Sequence, residues 1–185
     1  MGYVQKMGLR VLNNENSQLI AVVINSHKKY EEATLADPFY GKILGFIELN
    51  LRKHGYYMML YSTDDVNEIF RIVAAWNVDG VIALTFPMRD CEKIWHMIHK
   101  PVVSIDAFND LEGSSTITNV GLDDSKGSYL MTKYLLKCGY KNISGYDDIA
   151  FARLTVPKLT TIHQDIQKKA ELAVEELSLP YSLLI

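Results

Sequence analysis

Leu19-Ile20-Ala21-Val22-Val23-Ile24 is an unbroken apolar run, and four of its six residues are β-branched. A half-buried strand would alternate apolar and polar positions. A continuous run of this length instead suits a strand covered on both faces, as in a parallel sheet. Polar residues follow from Asn25 to Asp37 and read as a loop. Pro38 then opens a helical pattern, with Asp37 placed to cap it. Ile43, Leu44, Ile47 and Leu51 recur at helical spacing, and Gly55 ends the run.

The same cycle repeats outward from that strand. Tyr57 to Tyr61 reads as a strand, Ser62 to Asp65 as a turn that caps a helix, and Ile69, Ile72, Val73 and Trp76 as that helix's apolar stripe. Gly80-Val81-Ile82-Ala83-Leu84 is a third strand, followed by a helix around Cys91 to Ile98. Pro101-Val102-Val103-Ser104-Ile105 is a fourth, and Ser115 to Val120 a short edge strand. Asp124 to Cys138 reads as a helix closed by Gly139. Strand and helix alternating through short loops predict βαβ units. Their right-handed crossovers give an α/β fold, a three-layer doubly wound parallel sheet. After Tyr140 the rhythm breaks. Lys141 to Ser144 and Leu159 to Ile162 are short strand candidates, Ile166 to Leu177 a helix, and Pro180 to Ile185 an apolar tail. These pieces are too few for a second sheet.

Composition narrows the function. The 185 residues are 48% hydrophobic and 22% charged, ordinary for a globular chain, with a formal charge of −3. A compact nucleic-acid-binding module carries a basic surplus, and none is present. No apolar run approaches the roughly 20 residues needed to cross a bilayer, and Met1 to Gln18 lacks the apolar core of a secretion signal. The expectation is a cytoplasmic chain. Cys91 and Cys138 lack a paired spacing and read as small buried hydrophobes.

In an open parallel sheet, ligands bind beyond the carboxyl ends of the strands. Here those loops start at Asn25, Tyr61, Leu84, Ile105 and Val120, and they carry Asp37, Phe39, Tyr40, Ser62, Thr63, Asp64, Asp106, Asp123 and Asp124. Aromatic faces with carboxylates suit a polyhydroxylated ligand: rings cover the apolar face of a sugar, and carboxylates accept its hydroxyl protons. Asp and Ser at strand ends also serve as turn and cap residues. Catalytic patterns are missing. There is no Gly-rich phosphate loop and no Gly-x-Ser-x-Gly elbow. His96 and His99 stand three apart with no third ligand nearby, which suits a solvated helix face better than a metal. The pairs Asp64-Asp65 and Asp123-Asp124 are accounted for by helix capping. The reading expects no enzyme, no cofactor and no metal.

Several motifs in order carry a resemblance. Met1-Gly2-Tyr3-Val4, Leu9-Arg10-Val11-Leu12 and Ser17 to Ile24 resemble the hinge and first strand of the lactose-repressor (LacI/GalR) family. Asp37-Pro38-Phe39-Tyr40 resembles its Asn/Asp-Pro-Phe-Tyr element, and Val78-Asp79-Gly80-Val81-Ile82 its third strand. Pro101 to Asp106 resembles the strand entering the crossover region. Asp123-Asp124-Ser125-Lys126-Gly127, with Leu135 to Tyr140, looks like the family's following helix. Gly145 to Ala150, Pro157 to Gln164 and Leu179 to Leu183 resemble its C-terminal signature.

The resemblance implies a periplasmic-binding-protein-like sensor domain, with an effector held between two subdomains. By matching position Phe39, Tyr40 and Asp123 line that cleft, Asp147 accepts hydroxyl hydrogen bonds, and Gln164 lies nearby. It implies a hinge at 1–16, an N-terminal subdomain at 17–143, and remnants of the C-terminal subdomain and crossovers at 144–185. A piece on the order of 100 residues is expected to be absent at 143/144, and a shorter one between Leu177 and Ser178. It further implies a sugar-responsive transcription repressor whose effector is a sugar, sugar phosphate or nucleoside. Such a repressor is a homodimer that reads operator DNA through a helix-turn-helix head absent from this chain. Apolar faces of the first helix and of the helix after Gln164 are then candidate subunit contacts. The alternatives are a solute-binding protein of a sugar transporter, which shares the fold, and an enzyme on a doubly wound sheet.

Overall fold

A computed structural model of the chain describes residues 16–26, 37–108, 115–141 and 164–178. They fall into two compact units, Met1–Gly121 with Ile166–Ile185, and Leu122–Asp165. The first unit holds β1 (Leu19–Ile24), α1 (Pro38–Lys53), β2 (Tyr57–Ser62), α2 (Val66–Trp76), β3 (Gly80–Leu84), α3 (Met88–Ile98), β4 (Val102–Ile105), β5 (Thr118–Val120) and α5 (Ile166–Glu176). The second holds α4 (Asp124–Lys137).

The five strands form one sheet, ordered β2-β1-β3-β4-β5, with every pairing parallel. β1, β3 and β4 are buried at every position, as the apolar runs of β1 and β3 require, and in β4 the one polar residue, Ser104, bonds to Thr118 O and Asn119 Oδ1. Side chains on successive residues point to opposite faces, so two cores form. Ile20, Val22, Ile24, Ile82, Leu84, Val103 and Ile105 pack under Ile43, Leu44, Ile47 and Leu51 of α1, with Ala170, Ala173 and Val174 of α5 and the following Leu177. Leu19, Ala21, Val23, Val81, Ala83 and Val102 pack under Ile69 and Val73 of α2 and Cys91 and Ile94 of α3. The result is the expected three-layer α/β arrangement. Each large aliphatic side chain on α1 gains roughly 1.5–3 kcal/mol from burial.

Local signals set the boundaries. The Asp37 carboxylate accepts from Phe39 N at 2.7 Å and that of Asp65 from Asn67 N at 2.9 Å, capping α1 and α2. α2 and α3 end on left-handed residues, Asn77 and His99. At the amino ends of the strands, Asp79 accepts from Ser17 N (3.1 Å) and Gln18 N (2.7 Å), which ties the entry to β1 to the turn before β3.

Two expectations are corrected. The main apolar stripes of α1 and α5, read as candidate subunit contacts, are buried against each other and the sheet inside one unit, while Leu49 of α1 stays exposed. One face of a five-stranded sheet needs more cover than α1 supplies, and α5 provides the rest. Cys91 is buried as expected, but Cys138 is exposed. It caps α4, a helix with no buried residue, on which Tyr129, Leu130, Tyr134 and Leu136 are also exposed. Hydrogen bonding with Cys138 pushes the Tyr134 hydroxyl above its ordinary range. The hinge motifs, the strand candidate at Leu159 to Ile162, Asp147 and the tail from Pro180 lie outside the described residues.

Candidate functional site

The strands of the first unit end level. Ile24 stands opposite Ser62 and Leu84, Leu84 opposite Ile105, and Ile105 opposite Val120. One position further along, the row reads Thr63, Asn25, Thr85, Asp106 and Gly121. The backbone ladder continues into it. Thr63 N donates to Ile24 O, Asn25 N to Leu84 O, Thr85 N to Ile105 O and Asp106 N to Val120 O, at 2.9–3.2 Å. An apolar sheet thus terminates in an ordered polar rim.

Two rim residues hold unusual backbone. Thr85 and Asp106 have φ of 58° and 51°, in the left-handed region. For a β-branched residue this is a real strain, of order 1–3 kcal/mol, and it persists only where the surroundings impose it. The imposing contacts are visible. Asn25 Nδ2 donates to Thr85 O at 3.0 Å, Thr85 Oγ1 donates to Leu84 O at 2.7 Å, and the Tyr40 hydroxyl meets Thr85 Oγ1 at 3.1 Å. Beside Asp106, the Asn119 side chain accepts from Ala107 N (3.1 Å) and donates to Ala107 O (3.2 Å), clamping the turn.

Asp106 also carries the rim's ion pair. Lys169 on α5, with its side chain 4% exposed, places Nζ 2.7 and 2.8 Å from the two carboxylate oxygens. The same Nζ lies 5.7 Å from the centre of the Phe39 ring, which packs edge-on against Tyr40. Thus α1 contributes two aromatics, α5 a cation, and β1, β3 and β4 the polar row. At the far edge, Glu68 accepts from Thr63 Oγ1 and Tyr61 Oη. The two donors, Thr63 foremost, hold the Glu68 carboxyl below its usual range, and the bond to Glu68 raises the Tyr61 hydroxyl above its own.

Of the sequence-predicted ligand residues, Phe39 and Tyr40 stand together at this rim. Asp123 and Gln164 belong to the second unit. There Asp123 accepts from Lys126 N at 2.9 Å, the cap its alternative reading gave it. Sequence reasoning missed Thr85, Asn119 and Lys169 as site residues. Thr85 could have been found by counting one residue past the end of a strand. Lys169, beside Lys168, carries no local mark of burial. Among the described residues no group of three or more His, Cys, Asp or Glu could hold a metal ion, and no helix is long and apolar enough to cross a membrane.

A polar rim at the carboxyl ends of a parallel sheet, with aromatics beside it, defines a small-ligand-binding α/β module. Comparison with known proteins gives the family. Residues 30–172 match the family described as periplasmic binding proteins and sugar binding domain of LacI family. The chain belongs to it, as an effector-binding domain of the LacI type. It is 24% identical over 155 residues to the HTH-type transcriptional regulator MalR of Clostridium butyricum, covering 80% of this chain and 44% of that protein. The chain therefore spans less than half the length of this curated relative. The fold is similar to that of the lac repressor dimer bound to operator and the anti-inducer ONPF. That match has TM-score 0.69 and 15% identity over 96% of this chain and 91% of the other. It is also similar to a periplasmic binding protein/LacI transcriptional regulator from Alkaliphilus metalliredigens QYMF complexed with D-xylulofuranose. The TM-score there is 0.62, with 17% identity over 87% and 90% of the two chains. A complex of the transcriptional regulator CelR with cellobiose matches at TM-score 0.56 and 20% identity, over 86% of this chain and 47% of that one.

Proposed function

We propose that this chain is the sensing part of a sugar-responsive transcription repressor and has no catalytic role. The carrying observation is the strained rim, where Thr85 and Asp106 are held in left-handed backbone by Asn25, Asn119 and Tyr40. Strain kept in place at strand ends turns fixed acceptors toward a ligand with many hydroxyl groups, a sugar, sugar phosphate or nucleoside. The family resemblance adds Asp123 to the lining of the same cleft, and from the second subdomain Asp147 as a hydroxyl acceptor with Gln164 nearby. In this reading residues 1–16 are the hinge, 17–143 the N-terminal subdomain and 144–185 parts of the C-terminal subdomain and crossovers.

The ligand acts by binding two states unequally. It stabilises one arrangement of two subdomains, and hence one pairing of two sensor domains in a cytoplasmic homodimer. That pairing sets how a helix-turn-helix head meets operator DNA. Similarity to MalR supports this reading over a transporter's solute-binding protein.

The test is thermal melting of the full chain against a panel of sugars, sugar phosphates and nucleosides. One chemical class should raise Tm, and saturation at 100 times Kd corresponds to about 2.7 kcal/mol. No shift with any member of the panel would sink the sensor reading.

A further inference from the structure

We propose that the Asp106–Lys169 pair sets the charge class of the ligand: with the carboxylate facing the rim and the ammonium held behind it, the rim selects a neutral polyhydroxylated ligand over a phosphorylated one. This rests on the sensor reading above and narrows it. Lys169 is otherwise hard to account for. It occupies a position on α5 whose neighbours Ala170, Ala173 and Val174 are core, and an apolar side chain there would fill the space without desolvating a charge. Instead its ammonium grips both oxygens of Asp106, at 2.7 and 2.8 Å, with the Phe39 ring as a third wall.

The burial of the two partners differs in the informative direction. The lysine side chain is 4% exposed and the aspartate 27%, so a ligand meets the carboxylate with the ammonium behind it. In the row Thr63, Asn25, Thr85, Asp106 and Gly121, only Asp106 ionises. A hydroxyl group donates to that carboxylate in a charge-assisted bond at no cost in unpaired charge. A phosphate finds the nearest described cation already bound to a carboxylate and screened by it, and must approach that carboxylate to reach it. Lys169 is thus a positioning residue that acts through Asp106.

The experiment titrates the full chain by calorimetry with glucose and cellobiose, each beside its 6-phosphate, and records Tm in parallel. The wild type should bind a neutral sugar at least tenfold more tightly than its phosphate. Lys169→Met should weaken the neutral sugar about tenfold, because the carboxylate loses its fixed orientation. Asp106→Asn, which keeps the shape but leaves the ammonium uncompensated, should reverse the preference toward the phosphate. Val174→Ala, a core truncation on the same helix, should lower Tm and leave the ratio unchanged, which separates charge from stability. Should Lys169→Met fail to fold, the Asp106→Asn ratio decides. A wild type that prefers the phosphate, or an Asp106→Asn variant with the wild-type ratio, overturns the proposal and leaves the sensor reading standing. A wild type that binds none of the four sugars counts against both.

Discussion

At the scale of single residues, Asn25, Thr63, Thr85 and Asp106 stand where the apolar sheet stops. Glu68 shows how a carboxylate there serves the fold. It accepts from Thr63 and Tyr61, and the two bonds favour its ionised form. Because its folded pKa is depressed, its contribution to stability is present above its unfolded value near 4.5 and fades as pH falls through the lower folded value. Wild type should therefore exceed Glu68→Gln in stability at neutral pH, and the gap should close as melts are repeated toward pH 3. A gap that stays constant across that range would show that the carboxylate charge is irrelevant. Tyr61 acts with the opposite sign, its contribution being lost as pH rises through its raised value. Legibility at this scale was uneven. Asp37 and Asp65 announced their caps because Asp before a helical stripe has a local job. Thr85 and Lys169 did not, since a left-handed threonine and a buried lysine are made by neighbours distant in sequence.

At the scale of elements, the strands were legible because parallel strands buried on both faces need largely apolar runs, continuous in β1 and β3 and broken in β4 only by Ser104. β5 was read as a short edge strand from Ser115 to Val120 and is three residues long, Thr118–Val120. The partners of each helix were not readable. A helical stripe says that a face is buried and not against what, so α1 and α5 looked available for a second subunit although they cover their own sheet. The seam between β3 and the end of α5 tests this arrangement. A Cβ at Gly80 would stand 3.3 Å from Leu177 Cδ2 and 3.3 Å from the Pro101 carbonyl oxygen. The leucine tip can turn aside, but the carbonyl belongs to the backbone beside β4. Gly80→Val should cost about 1–3 kcal/mol by overpacking, read as a lower urea midpoint at unchanged slope. An unchanged midpoint would mean that β3 and α5 are not packed as described.

At the scale of the molecule, the first unit is assembled from two stretches of chain that are far apart in sequence, with the second unit inserted between them. Class and layering could be read in advance from the strand–helix rhythm, whereas this return of the chain could not, because sequence spacing carries no record of which sheet a late helix joins. The return has a measurable consequence. A chain ended after Asp165 lacks Ala170, Ala173, Val174 and Leu177, and leaves one side of Ile43 and Ile47 without cover. Such a chain should lose its cooperative thermal transition and bind a hydrophobic dye. A sharp melt in the truncated protein would show that α5 is dispensable. Biosynthesis meets the same geometry in time. A ribosome that has finished β5 must still make more than fifty residues before Leu177 follows, several seconds at ordinary elongation rates. Through that interval the part of the sheet face that α1 leaves uncovered stays open to water, until the final helix arrives.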